Sequence, residues 1–76
     1  MDVKSTKVLE LEAVDARIRA GKRLIAEQEL RIALLPRLGI DASLSTKLLQ
    51  QFKRSLHLLT KTRSILLREI QGTLPS

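Results

Sequence analysis

Residues 35–41, Leu-Pro-Arg-Leu-Gly-Ile-Asp, constrain the fold of this chain most, because a helical pattern of about thirty residues lies on each side of them. Gly39 can adopt the left-handed conformation that ends a helix, and Ile40 can then fold back on Leu35 as the hydrophobic contact of that cap. Asp41 can accept hydrogen bonds from the first free amides of the next helix. The stretch therefore predicts an antiparallel helical hairpin.

The two helices of this hairpin form a single domain that spans residues 1–76. We place the first helix at about residues 5–38, with Ser5 as its N-cap, and the second at about residues 42–71. Gly72 and Pro75 are expected to end the second helix.

Pro36 makes the end of the first helix ambiguous, because it lacks an amide hydrogen and disfavours helical conformation at Leu35. The helix either stops near residue 34 or kinks and continues for one more turn to Gly39. We favour the second alternative.

An apolar stripe runs along each helix at alternating spacings of three and four residues, which is the heptad pattern of a coiled coil. If the hairpin turns at residue 38 or 39, Gly21 on the first stripe faces Leu56 on the second. Glycine in mid-helix costs about 1 kcal/mol relative to alanine, so close approach of a bulky neighbour is the expected reason for Gly21. The stripes, flanked by Leu49 and Leu67, are Leu11, Val14, Ile18, Gly21, Ile25, Gln28 and Ile32, and Leu48, Phe52, Leu56, Leu59, Leu66 and Ile70.

Each helix also carries a second apolar strip, about a third of a turn from the first stripe. Both strips are rotated in the same sense, which in an antiparallel pair places them on the same side of the hairpin. A large exposed apolar surface usually marks an interface, although isolated apolar side chains on a surface need no explanation. The predicted dimer interface consists of Leu9, Ala13, Ala20, Leu24, Leu58 and Ile65.

Composition supports an all-α protein that associates with itself. The 76 residues are near the size at which one core supplies only a few kcal/mol, and the absence of Cys excludes a stabilising disulfide. Phe52 is the only aromatic residue, which is typical of a helical bundle rather than a sheet. We therefore expect a homodimer that forms a four-helix bundle. The charged first residues and the lack of a long apolar run favour a cytoplasmic protein.

The net charge of +6 is concentrated in the second half of the chain. Residues 41–76 carry six Lys and Arg against two acids, whereas residues 1–40 carry eight against six. Four of these cations recur every seventh residue along a ridge of about 30 Å. Such a ridge is either a solvated outer face or a surface for phosphate groups, but the aromatic groups that bind single-stranded nucleic acids are absent. The possible anion-binding ridge consists of Lys47, Arg54, Lys61 and Arg68.

Arg63 falls within the apolar stripe of the second helix, where an unpaired charge is costly. In the antiparallel register it is level with Val14, so Glu10 or Asp15 can reach it, and we predict a buried ion pair between Arg63 and Glu10. His57 has neither a carboxylate nor a second His at a helical spacing, and no Ser or Thr has an activating base. We therefore expect no catalytic residues, no metal, no cofactor and no enzymatic activity.

A set of positions between residues 21 and 67 also carries a resemblance to other proteins. These positions are Gly21, Ile25, Ala26, Glu27, Gln28, Glu29, Ile32, Leu35, Gly39, Asp41, Leu48, Leu49, Phe52, Leu56, Leu58, Arg63, Leu66 and Leu67. On them the chain resembles a group of short uncharacterised bacterial two-helix proteins. The resemblance implies a helical hairpin and no activity. The chain departs from the group at Pro36, at Ala42, where the group has Thr, and at Leu59, where it often has His.

Two functions follow as hypotheses. The first is a non-enzymatic interaction module that dimerises through its apolar strips and offers a basic face to a protein partner, whose identity the sequence does not give. The alternative is a helical bundle that binds the backbone of RNA or DNA through the basic ridge. A membrane partner is not favoured, because adsorption would require the hairpin to open and expose its stripes.

Overall fold

The computed structural model describes residues 3–72, and these residues form two long helices and no strand. Helix α1 comprises Val3–Leu34, a single 3-10 turn follows at Leu35–Leu38, and helix α2 comprises Ser43–Gly72. The helices pack against each other along their length in a rod of 60 × 16 × 15 Å. The predicted all-α helical hairpin is confirmed.

The ends of the helices differ slightly from the prediction. Helix α1 already includes Val3, the first described residue, so it begins before the predicted N-cap at Ser5. Helix α2 begins at Ser43 and continues to Gly72, one residue beyond the predicted end. Pro75, the other expected stop signal, lies outside the described residues.

The hinge combines the two alternatives that Pro36 left open. The α-helix stops at Leu34, but the chain continues helically to Leu38 as a 3-10 turn, which tolerates proline in its first turn. Gly39 then adopts the left-handed conformation, with φ 74° and ψ 18°. The amides of Gly39 and Ile40 donate to the carbonyls of Pro36 and Leu35, both at 3.0 Å, which is the hydrogen-bond pattern of a Schellman cap.

Asp41 connects the hinge to α2, as predicted. Its Oδ1 accepts hydrogen bonds from the hydroxyl of Ser43 at 2.7 Å and from the amide of Ser43 at 2.9 Å. These two bonds, first that of the hydroxyl and then that of the amide, lower the pKa of the Asp41 carboxyl below its ordinary value of 3.8. The amide and hydroxyl of Thr46 both donate to the Ala42 carbonyl and close the first turn.

The predicted stripes meet and form the seam between the helices. Leu56 Cδ1 lies 3.6 Å from the place where a Cβ on Gly21 would be, so the predicted register is correct here. The prediction was wrong at one position of α2, because the partly buried residue is Leu49, whereas Leu48 is 38% exposed. Leu49 precedes Phe52 by three residues and Leu56 by seven, so it continues the heptad phase of the seam and Leu48 does not.

The seam alone makes a thin core. Among the described residues, only Val14 and Leu66, each 7% exposed, and Gln28, 4% exposed, are buried, and no large side chain is fully enclosed. The protein has 5937 Å² of accessible surface. A compact protein of 8.6 kDa has about 4,700 Å², so the rod exposes an excess of about 1,200 Å².

Candidate interface

One side of the hairpin carries most of the exposed apolar side chains of both helices. On α2, the two columns of residues next to the seam in one rotational sense hold mainly Leu, Ile, Ser or Thr. On α1, the column adjacent to the seam holds Leu24 among the charged residues Glu10, Arg17 and Arg31, and the next column out holds mainly Ala and Leu. In an antiparallel pair, equivalent flanking positions of the two helices adjoin each other on the same side. We call this surface the apolar side, and among the predicted interface residues it includes Ala13, Ala20, Leu24, Leu58 and Ile65.

The side chains of the apolar side are exposed in the single chain. Leu24 is 46% exposed, Leu58 63% and Ile65 47%, and Ala13 and Ala20 are also exposed. Scattered leucines on a surface are ordinary, but these residues lie on one side of the hairpin on both helices. Exposed Arg17 and Arg31 lie among those of α1. This side is therefore a candidate interface.

Leu9 does not belong to the apolar side, although the sequence analysis included it. It lies opposite the seam by its heptad position and lines a shallow depression with Lys4, Ser5 and Val8. Leu9 is 55% exposed. The apolar strip of α1 therefore begins at Ala13, one helical turn further along the chain.

Three further leucines extend the apolar side toward the hinge, and the sequence analysis did not place them there. Leu34, Leu44 and Leu48 are all exposed large apolar side chains. A signal for two of them was present, because Leu34 follows Ala20 by two heptads and Leu44 precedes Leu58 by two heptads. Leu48 was missed because it was assigned to the seam.

The opposite side of the hairpin is polar and contains the ion pair of Arg63. Arg63 Nε donates to Asp15 Oδ1 at 2.7 Å, so the partner is Asp15 and the predicted partner Glu10 is wrong. The pair is not buried either, since the side chains of Arg63 and Asp15 are 43% and 33% exposed. Asp15 follows Val14 in the seam and points to the polar side, where the Arg63 head group reaches water. Arg19, Lys22 and Thr60 line the groove around this pair.

Two other polar contacts join the helices. The buried side chain of Gln28 lies in the seam near the hinge, and its Nε2 donates to the Ser45 carbonyl at 2.9 Å. At the open end of the hairpin, Lys7 and Glu69 form an ion pair. The heptad spacing predicts Gln28 on the stripe of α1, but it does not predict its partner, the Ser45 carbonyl.

The basic ridge lies on the outer surface of α2, away from the seam. Lys47, Arg54, Lys61 and Arg68 are all exposed and recur at heptad spacing opposite the buried stripe. His57 lies beside this ridge, in a shallow depression lined by Lys53, Arg54 and Leu58. The ridge therefore adjoins the apolar side without forming part of it.

A cluster of metal-binding side chains and a membrane-spanning helix are both absent from the described part of the chain. Residues 3–72 contain no group of three or more His, Cys, Asp or Glu side chains arranged to hold a metal ion. Neither described helix is both long and apolar enough to cross a membrane.

No protein-family model matches the chain, and neither a curated protein nor a solved structure is detectably similar to it. The resemblance to bacterial two-helix proteins therefore stays a prediction. The fold and the surface define a helical hairpin with one exposed apolar side, one polar side and a basic ridge.

Proposed function

We propose that the protein is an interaction module whose apolar side binds a second copy of the same chain. The observation that carries this proposal is the exposure of Leu24, Leu58 and Ile65 on one side of a hairpin with almost no buried core. Pairing two such sides would give a four-helix bundle in which each helix has two packing partners. The basic ridge would remain outside the bundle and could bind an acidic protein surface.

The accessible area fits this partner. A standard interface buries about 800 Å² on each partner, and the rod exposes about 1,200 Å² more than a compact chain of its mass. Half-exposed Leu58 and Ile65 would each gain about 1 kcal/mol from complete burial. Both residues occur in each copy, so together they would contribute about 4 kcal/mol to a symmetric dimer.

Sedimentation velocity over a range of protein concentrations tests the proposal. We expect the wild-type chain to be dimeric at tens of micromolar. The double variant Leu58→Gln and Ile65→Gln should raise the dissociation constant by roughly three orders of magnitude. Circular dichroism should show unchanged helix content, because both residues are exposed in the single chain.

A matched control variant changes two other residues of α2. Lys61→Gln and Arg68→Gln lie on the outer ridge, so they should leave the sedimentation of the dimer unchanged. A wild-type chain that sediments as a folded monomer at these concentrations would refute self-association. Equal weakening by both double variants would refute the assignment to the apolar side.

The exposed ridge favours a second candidate function, the binding of nucleic-acid phosphates. Its four cations point away from the seam, so a dimer formed through the apolar side would leave them accessible. Lys and Arg at this surface would neutralise phosphates without reading sequence, and affinity would fall steeply with salt concentration.

A gel-shift titration with RNA and DNA duplexes at moderate salt tests the second candidate. The variant Arg54→Glu and Lys61→Glu reverses two charges of the ridge and should abolish binding. Arg23→Glu and Arg37→Glu reverse the same number of charges at exposed positions away from α2 and should reduce binding less. Equal binding by the wild-type and ridge variants, or no binding by the wild type, would reject this function.

A further inference from the structure

We propose that the two copies pair with their hinges at the same end, so that α1 of each copy packs against α2 of the other. This inference rests on the proposed self-association and specifies its geometry. It comes from two rows of residues, one along each outer edge of the apolar side, with a spacing of seven residues within each row. The α1 row is Ala13, Ala20, Glu27 and Leu34, and the α2 row is Leu44, Gln51, Leu58 and Ile65.

The packing of the seam fixes how the two rows align. Leu56 Cδ1 lies 3.6 Å from the place where a Cβ on Gly21 would be, so these two residues mark one level along the rod. Ala20 lies one residue from Gly21, and Leu58 lies two residues from Leu56 in the corresponding direction. Ala20 and Leu58 are therefore level to within about 1.5 Å, on opposite edges of the apolar side.

The heptad spacing extends this match along both rows. Ala13 precedes Ala20 by seven residues and Ile65 follows Leu58 by seven, so Ala13 and Ile65 are also level. For the same reason Glu27 is level with Gln51, and Leu34 is level with Leu44. Ion pairing between Asp15 and Arg63 and between Lys7 and Glu69 shows that the same register holds toward the open end.

A two-fold axis parallel to the rod exchanges the two edges without changing the level. It brings Ala20 against Leu58 of the second copy and Ala13 against its Ile65, so that a small residue faces a large one. At the next level, the Gln51 amide can donate to the Glu27 carboxylate of the other copy. Two of the four levels therefore match in size, and a third matches in polarity.

A two-fold axis perpendicular to the rod gives a poorer match. With this axis centred on Leu24, the hinges would lie at opposite ends and α1 would pack against α1 of the second copy. Ala20 would then lie against Glu27 of the second copy, and Leu58 against its Gln51. Apolar residues would face polar ones, and Glu27 and Gln51 would lose the hydrogen bond between them.

The helix dipoles do not distinguish the two arrangements. With either two-fold axis, every helix is antiparallel to its two neighbours, so the positive end of each dipole lies beside the negative ends of two others. The choice between them therefore rests on the side chains that face each other.

Disulfide cross-linking tests the geometry of the dimer. The chain has no Cys of its own, so only the introduced cysteines can form disulfides. Chains carrying Ala20→Cys are mixed with tagged chains carrying Leu58→Cys, and disulfide formation under oxidation is followed by non-reducing electrophoresis. Ala13→Cys mixed with Leu34→Cys is the comparison pair, because these residues face each other only when the hinges lie at opposite ends. We expect the first pair to cross-link at least about tenfold faster, because separated cysteines cannot be bridged without backbone movement.

Ala13→Cys mixed with Ile65→Cys repeats the test at another level and covers the possibility that Leu58→Cys weakens the dimer. Rapid cross-linking at either level, with slow cross-linking of the comparison pair, supports the geometry. Faster cross-linking of the comparison pair overturns it, and so does slow cross-linking of all three pairs in a protein that sediments as a dimer. A wild-type chain that sediments as a monomer removes self-association itself, so the two failures are distinguishable.

Discussion

Replacement of Gly21 by alanine tests whether the helices need a glycine where the Leu56 side chain packs against α1. A Cβ at this position would lie 3.6 Å from Leu56 Cδ1, which is an ordinary van der Waals distance. The added methyl group therefore has room, contrary to the expectation that a bulky neighbour excludes it. Alanine also gains about 1 kcal/mol of helix propensity over glycine in the interior of a helix.

We expect Gly21→Ala to stabilise the protein by about 1 kcal/mol and to raise its Tm by roughly 4–8 °C. Thermal unfolding followed by circular dichroism measures the shift. Self-association makes the Tm depend on concentration, so all variants must be compared at the same protomer concentration. Urea unfolding under the same conditions gives the free energy independently.

Two further variants separate the terms of this prediction. Ala16→Gly changes an exposed position of the same helix and should cost about 1 kcal/mol, which calibrates the propensity term. Gly21→Leu adds a side chain that Leu56 cannot accommodate without movement and should destabilise by about 1–3 kcal/mol. If Gly21→Ala destabilises while Ala16→Gly behaves as expected, the helices approach more closely than the structure gives, and the reasoning is wrong.

The remaining predictions concern the hinge and the ion pair. Gly39→Ala should cost about 1–2 kcal/mol in urea unfolding, because Gly39 has positive φ, whereas Gly72→Ala should cost nothing; equal effects would argue against the left-handed cap. Asp41 has a lowered pKa, so its contribution to stability is present above pH 3.8 and is lost as the pH falls through its pKa in the folded chain. Asp41→Asn keeps a hydrogen-bond acceptor but does not titrate, so the Tm of this variant should fall less on acidification than that of the wild type. The same dependence of Tm on pH in both proteins would contradict this. A double-mutant cycle between Arg63 and Asp15 should give a coupling of less than about 1 kcal/mol that weakens in salt, because both side chains are partly exposed.

Local chemistry explains why the hinge was predictable. The left-handed Gly39 and the capping Asp41 act on neighbouring residues, so their roles depend little on the rest of the structure. Pro36 was harder to interpret, because both an α-helical kink and a 3-10 turn tolerate a residue without an amide hydrogen. The structure has the 3-10 turn, with the α-helix ending at Leu34.

The interface was predictable only in part, because polar residues interrupt the heptad rows of apolar residues that define it. Gln51 interrupts the row that joins Leu44 to Leu58, so Leu44 was overlooked. Leu48 and Leu49 are adjacent and equally apolar, and packing against α1 distinguishes them. Leu9 was included because it is apolar and precedes Ala13 by one turn, although it lies on the outer surface.

The sequence by itself determined two helices, the turn between them and the register in which they meet, because heptad spacing and capping residues act locally and repeat along the chain. Only the tertiary structure decided which carboxylate pairs with Arg63 and how much of each leucine outside the seam is exposed. Asp15 and Glu10 are both within a short distance of Arg63 along the rod, but their rotation about α1 differs. The choice of partner depends on the direction in which each carboxylate side chain leaves α1 relative to α2. Residue types and spacings do not determine that direction, because it depends on how the two helices pack.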